Sequence, residues 1–95
     1  MTIQTQIDLS KYIEVRIFGE RPHIRGRRIP IATIVYAAQS EKWDVAELAV
    51  QFTLTEAEVL AAILYYEQHH LEIDDLEQRY QAELDEAYEQ FNTVE

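Results

Sequence analysis

The sequence predicts a mainly α-helical domain, in which a helix-turn-helix core follows a short β-element and precedes a long amphipathic C-terminal helix. Three observations carry this expectation. Asp44-Val45-Ala46-Glu47 and Thr55-Glu56-Ala57-Glu58 each place a capping side chain three residues before a carboxylate that can reach back to it, the mark of a helix start. Leu48, Ala49, Phe52, Leu54 and Val59 fall where a helix-turn-helix buries its inner residues, with a small alanine at the closest approach. Beyond residue 72, Ile73, Leu76, Tyr80, Leu84, Ala87 and Phe91 step by three or four along an otherwise polar stretch.

The elements follow in order. Residues 1–12 lack a pattern and form an arm. Residues 13–18 alternate apolar and charged, so Ile13, Val15 and Ile17 point one way and Glu14 and Arg16 the other, as in a half-buried strand. Gly19 and Pro22 punctuate the chain, and Ile24 and Ile29 flank Gly26 as two very short extended pieces around a tight bend. Pro30 opens a first helix, since its missing N–H would be unpaired there anyway, and Ile31, Ile34, Val35 and Ala38 form the buried stripe up to Ser40 or Glu41. The second helix starts at Asp44. Thr53-Leu54 is the turn, and a third helix runs from the second capping box to about His70. Thr53 stands where this turn usually has glycine; a β-branched residue resists a left-handed backbone, so a turn of another shape is expected. Leu71–Asp75 reads as a joint before the last helix. The organisation expected is therefore an arm (1–12), a core domain (13–73) and an acidic C-terminal helix and tail (74–95).

Composition narrows the function classes. At 95 residues a single domain is the default. The 47% hydrophobic content exceeds that of disordered chains. The absence of cysteine excludes disulfides, thiolate metal sites and cysteine nucleophiles, and agrees with a cytoplasmic location. Neither a secretory leader nor an apolar run of membrane-spanning length is visible, so no membrane association is expected. The net charge of −10 is unevenly divided. Residues 1–43 carry seven basic against four acidic side chains, whereas residues 44–95 carry Arg79 alone against fourteen acids. The front suits anions and the rear suits a cationic surface.

That division shapes the candidate sites. Arg21, Arg25, Arg27 and Arg28 make a short basic segment able to contact phosphates; alternatively they pair with the acidic remainder of the chain, Arg28 most of all. The third helix would lead into a major groove with Thr55, Glu56, Ala57 and Glu58, and no Lys or Arg occurs from residue 53 to residue 70. It cannot neutralise phosphate, which supplies most of the affinity in DNA binding. Leu76, Tyr80, Leu84, Tyr88 and Phe91 are candidate partner-binding residues, since aromatics on a narrow seam make good anchors. Nothing in the chain matches an enzyme active site, and no catalytic residue, metal ligand set or cofactor is assigned. Glu67 and His70 show one copy of a spacing that di-iron bundles need twice, so His70 is read as a helix C-terminal residue facing open carbonyls. His23 is read as a surface residue; Tyr36, Tyr65 and Tyr66 as core residues with hydroxyls at the rim.

Two motifs add a resemblance. R-P-H-I-R-G-R-R-I-P-I (Arg21 to Ile31) and L-T-E-A-E-V-L-A-A-I-L-Y-Y-E-Q-H (Leu54 to His69) resemble the signatures of the domain-of-unknown-function family 433, a bacterial family, over about 55 residues. The resemblance implies a homeodomain-like three-helix core and an antitoxin-like role, similar to VapB-type partners of PIN-like ribonucleases. Arg27 departs from the pattern, in which threonine is usual. Together these readings lead to an interaction module that binds and neutralises a toxin-like ribonuclease, with DNA binding through the arginine segment as the alternative and a homodimer or higher homo-oligomer as the expected state.

Overall fold

The computed structural model describes residues 8–15 and 21–93. Residues 1–7 of the expected arm, and Arg16, Ile17 and Gly19 of the expected strand and bend, lie outside the described residues. The order of elements is a 3₁₀ turn (Leu9–Lys11), β1 (Ile13–Glu14), β2 (His23–Ile24), α1 (Ile31–Glu41), α2 (Val45–Phe52) and α3 (Glu56–Thr93). The fold is mainly helical, as expected, with a two-stranded antiparallel sheet in front and a long helix behind.

The sheet is shorter than the alternation of residues 13–18 suggests. Ile13 pairs with Ile24 and Glu14 with His23, so the next pair would join Val15 to Pro22. Proline has no N–H for a ladder, and pairing stops there. Ile13 is buried, but Val15 is 54% exposed, contrary to the expected shared face. On its other side β2 meets the returning chain: the Ile24 N–H donates to the Ile29 carbonyl at 2.9 Å, and His23 bridges Pro30. Arg25–Arg28 form the tip of this tight bend. Gly26 takes φ +79, and the Arg27 N–H donates to the Ile24 carbonyl at 3.1 Å, closing a turn that needs a positive φ at its third residue.

Pro30 sits at the helix cap, and the Ile31 N–H finds the Pro22 carbonyl at 2.9 Å, which ties α1 to the β-element. Asp44 caps α2 by accepting from the Glu47 N–H at 2.9 Å. Thr55 and Glu58 cap α3 reciprocally, at 2.9 and 3.1 Å. α2 and α3 meet at 110°, within the range of a helix-turn-helix. The turn between them corrects one expectation. Thr53 does adopt the left-handed conformation, φ 55 and ψ 48. It is held there by the Leu54 N–H, which reaches back to the Ala49 carbonyl at 2.9 Å, and by burial of the Leu54 side chain. Tertiary contacts thus override a local cost of about 1 kcal/mol or more.

Ile24, Ile31, Ile34, Leu48 and Val59 are fully buried at the centre, where each contributes roughly 1.5–3 kcal/mol. The joint expected at Leu71–Asp75 falls two residues earlier: α3 comprises two helical stretches that meet at a kink at His69, which has φ −133 and ψ 24. Ile73, at the far side of this bend, is 2% exposed and belongs to the core. No single helix among the described residues is long and apolar enough to cross a membrane.

Candidate interaction surface

The stretch of α3 just past His69 lies back on the front of the molecule through three linked contacts. Asp74 Oδ1 accepts from the Tyr36 hydroxyl at 2.5 Å, and its two oxygens accept from the Tyr66 hydroxyl at 2.9 and 3.0 Å. Glu77 receives the Arg21 fork in two parallel hydrogen bonds, Nε and Nη2, both at 2.6 Å. The same guanidinium lies 4.2 Å from the centre of the Tyr80 ring. Tyr36 and Tyr66 pack edge to face at 6.3 Å, so α1 and α3 are joined at their rims by one carboxylate. Burial, and then the hydrogen bond to Asp74, raise both phenols above their ordinary pKa, Tyr36 well above it. Arg21, Tyr36, Asp74, Glu77 and Tyr80 line a shallow groove with Gln78 and Gln81.

The arginine segment divides in two. Arg21 is committed to Glu77 and Tyr80. Arg25 donates to the Ser10 carbonyl at 3.2 Å and the Ile13 carbonyl at 3.3 Å, and lies 4.0 Å from Glu14. Arg27 and Arg28 are exposed at the tip of the bend and form no ion pair among the described residues. Arg28, expected to be the structural member, contributes its left-handed backbone (φ 56) rather than a side-chain contact. His23, expected at the surface, is buried: Nδ1 stands 3.2 Å from the Arg21 carbonyl and Nε2 3.2 Å from Glu14. It braces the β-element on which the arginines sit.

The five seam residues of the last helix also divide. Leu76 is half-buried, and Tyr80 is partly covered by Arg21. Leu84, Tyr88 and Phe91 stand exposed on successive turns, Phe91 at 78%. Glu83, Asp85, Glu86 and Glu89 surround them, and residues 80–91 include no basic side chain. This end carries the molecule to 68 Å in its longest dimension against 29 and 23 Å in the others. The outer face of the earlier part of α3, which would meet a major groove, presents Ala57, Leu60 and Leu64 beside Glu56. His70 lies beside the kink at His69, and its Nδ1 stands 3.4 Å from the Glu67 carbonyl, as expected of a histidine that faces open carbonyls at a helix end. No cluster of three or more metal-ligating side chains occurs among the described residues.

Asp74 and Glu77 were not candidates from sequence. They meet their partners across 38 and 56 residues, and nothing local marks either one. The leucines at 60 and 64 did carry a signal, an apolar i, i+4 pair outside the buried stripe.

Fold and surface together define a helix-turn-helix domain with a clasped, projecting C-terminal helix. The chain belongs to the family described as Protein of unknown function (DUF433), whose model matches residues 13–66. The match contains Arg21, Tyr36 and Tyr66, while Asp74, Glu77 and the projecting end lie beyond it. Neither the curated proteins nor the solved structures contain a match to the chain.

Proposed function

We propose that the chain is an antitoxin-like interaction module whose projecting end docks in the cationic cleft of a partner, in the first instance a PIN-like ribonuclease. The observation that carries this reading is the exposed face of Leu84, Tyr88 and Phe91, set among four acids on a helix that stands clear of its own core. An amphipathic helix of this kind lays its apolar seam into a groove while its charges meet a rim of opposite sign. An RNA-binding cleft is basic because it holds phosphate, and the carboxylates imitate that phosphate.

Coexpression with a PIN-like ribonuclease encoded beside the gene tests the reading. The full chain restores growth and forms a complex. A chain ending after Gln81 keeps Asp74, Glu77 and Tyr80, so it folds, but it does not neutralise. Tyr88→Ala and Phe91→Ala each weaken binding by about thirtyfold, as aromatic anchors do. Full neutralisation by the shortened chain sinks the proposal.

A second reading, phosphate or DNA contact through the bend, is supported by the exposure of Arg27 and Arg28. Under it, replacing both with alanine lowers affinity for duplex DNA and reduces the salt slope by about two. Arg21→Ala is a poor test, because it also opens the contact with Glu77.

A further inference from the structure

The bend at His69 lies beside the joint expected at Leu71–Asp75, yet no helix-breaking residue marks it. Sharp helix kinks arise at proline, at glycine or serine pairs, at π-bulges or at an inserted side chain. Tyr65-Tyr66-Glu67-Gln68-His69-His70-Leu71-Glu72 contains neither proline, glycine nor serine. His69 nonetheless sits at φ −133 and ψ 24, where an α-helix has about −63 and −42. Its ring lies against Tyr65 at 4.3 Å, one turn back. What holds the bend is the seat beyond it: Ile73 in the core, Asp74 under two tyrosine hydroxyls, Glu77 on Arg21 and Arg21 on Tyr80. Local preference favours a straight α3, and tertiary contacts favour a bent one. Straightening leaves the seat empty and exposes Ile73. The segment that fits that seat, residue for residue, is Ile73–Tyr80 of a second copy.

We infer that this chain forms a homodimer by exchanging α3 past His69, with each copy's Ile73, Asp74, Glu77 and Tyr80 seated on the other's core. No new interface is needed, since every contact of the closed monomer re-forms between copies. This does not depend on the ribonuclease reading, because it concerns only the chain's contact with itself. It has an unusual corollary. Clasp contacts are the same in monomer and dimer, so weakening them changes the rate of exchange and not its equilibrium. Only the hinge differs between the two forms, so hinge substitutions move the equilibrium.

Light scattering across a wide concentration series, on the full chain and three variants, reads both effects. His69→Ala, which favours a straight helix at two hinges per dimer, raises the association constant on the order of tenfold; His69→Gly lowers it. Asp74→Asn leaves the constant within about twofold and speeds interconversion on the order of tenfold. In a mixture of isotope-labelled and unlabelled chains, the dimer shows intermolecular contacts between the Arg21 side chain and the Tyr80 ring. A dimer without that cross-contact, joined for instance through Leu60 and Leu64, overturns the inference. So does a chain that stays monomeric with both hinge variants. Should His69→Ala fail to fold, the wild-type concentration series against His69→Gly and the mixed-label contact decide between exchange and its absence on their own.

Discussion

Residues 73–80 and residues 81–91 of α3 carry one pattern and meet opposite fates. Both are polar helix with an apolar residue every three or four positions. The first stretch closes on the core and places Ile73 at 2% exposure; the second projects, with Phe91 at 78%. The apolar seam does not distinguish them. What differs is the position of two carboxylates: Asp74 and Glu77 lie where Tyr36, Tyr66 and Arg21 can reach them, and Asp85 and Glu89 find no such neighbours on the core among the described residues. An amphipathic stripe therefore says that a helix has a face to cover. Its polar flank decides whether the cover is the chain's own.

Substitutions on the two stretches should separate sharply. Ile73→Ala removes buried methyls from a packed site and lowers the melting temperature by roughly 10 °C or more, while Leu84→Ala leaves unfolding within about 0.5 kcal/mol of wild type. Equal effects from the two would erase the contrast. Alkaline titration gives the next largest signal. Because Tyr36 and Tyr66 hold their protons more tightly when folded, their contribution to stability is complete below the unfolded tyrosine value near 10. It is lost as pH rises through the raised folded values. Denaturant midpoints should fall above about pH 10 in the wild type and less steeply in Tyr36→Phe. Smaller again is the Arg21–Glu77 pair: a double-mutant cycle should give a coupling of about 1–3 kcal/mol for this partly buried, bidentate contact. The smallest is the exposed Arg79–Asp75 pair on the same helix, at less than about 0.5 kcal/mol. A coupling of similar size at both pairs would mean that closure of α3 owes nothing to its charges.

Much of the fold was legible because it is specified within a few residues. Thr55 and Glu58 cap each other, Asp44 caps its own helix, Pro30 opens α1 and Gly26 turns the bend, each as its chemistry demands. The break in α3 was legible to within two residues, at His69 against the expected Leu71–Asp75, but the clasp was not. Ile73, Asp74 and Glu77, just past that break, are fastened by the core, Tyr36 and Arg21, groups far away along the chain. Val15 shows the same limit in reverse, since its alternation was correct for a strand and its neighbour, Pro22, could not pair. The charge of the basic segment was plain from its residues, but its division into two anchored arginines and two exposed at the tip of the bend depends on where Glu77 and the Ser10 and Ile13 carbonyls come to lie.

The corners of this molecule have a practical side. Arg28, Lys42 and Thr53 all take positive φ, near 56, 57 and 55, although none is glycine. Each sits where one element hands over to the next, and each holds a backbone that its own Cβ opposes. Heat tolerance is thus capped at the hand-overs and not in the interior, which has no buried side-chain polar atom without a partner among the described residues. Thr53→Gly alone should add about 1 kcal/mol, so a protein engineer wanting a hardier scaffold would begin with three backbone corners and leave the packing untouched.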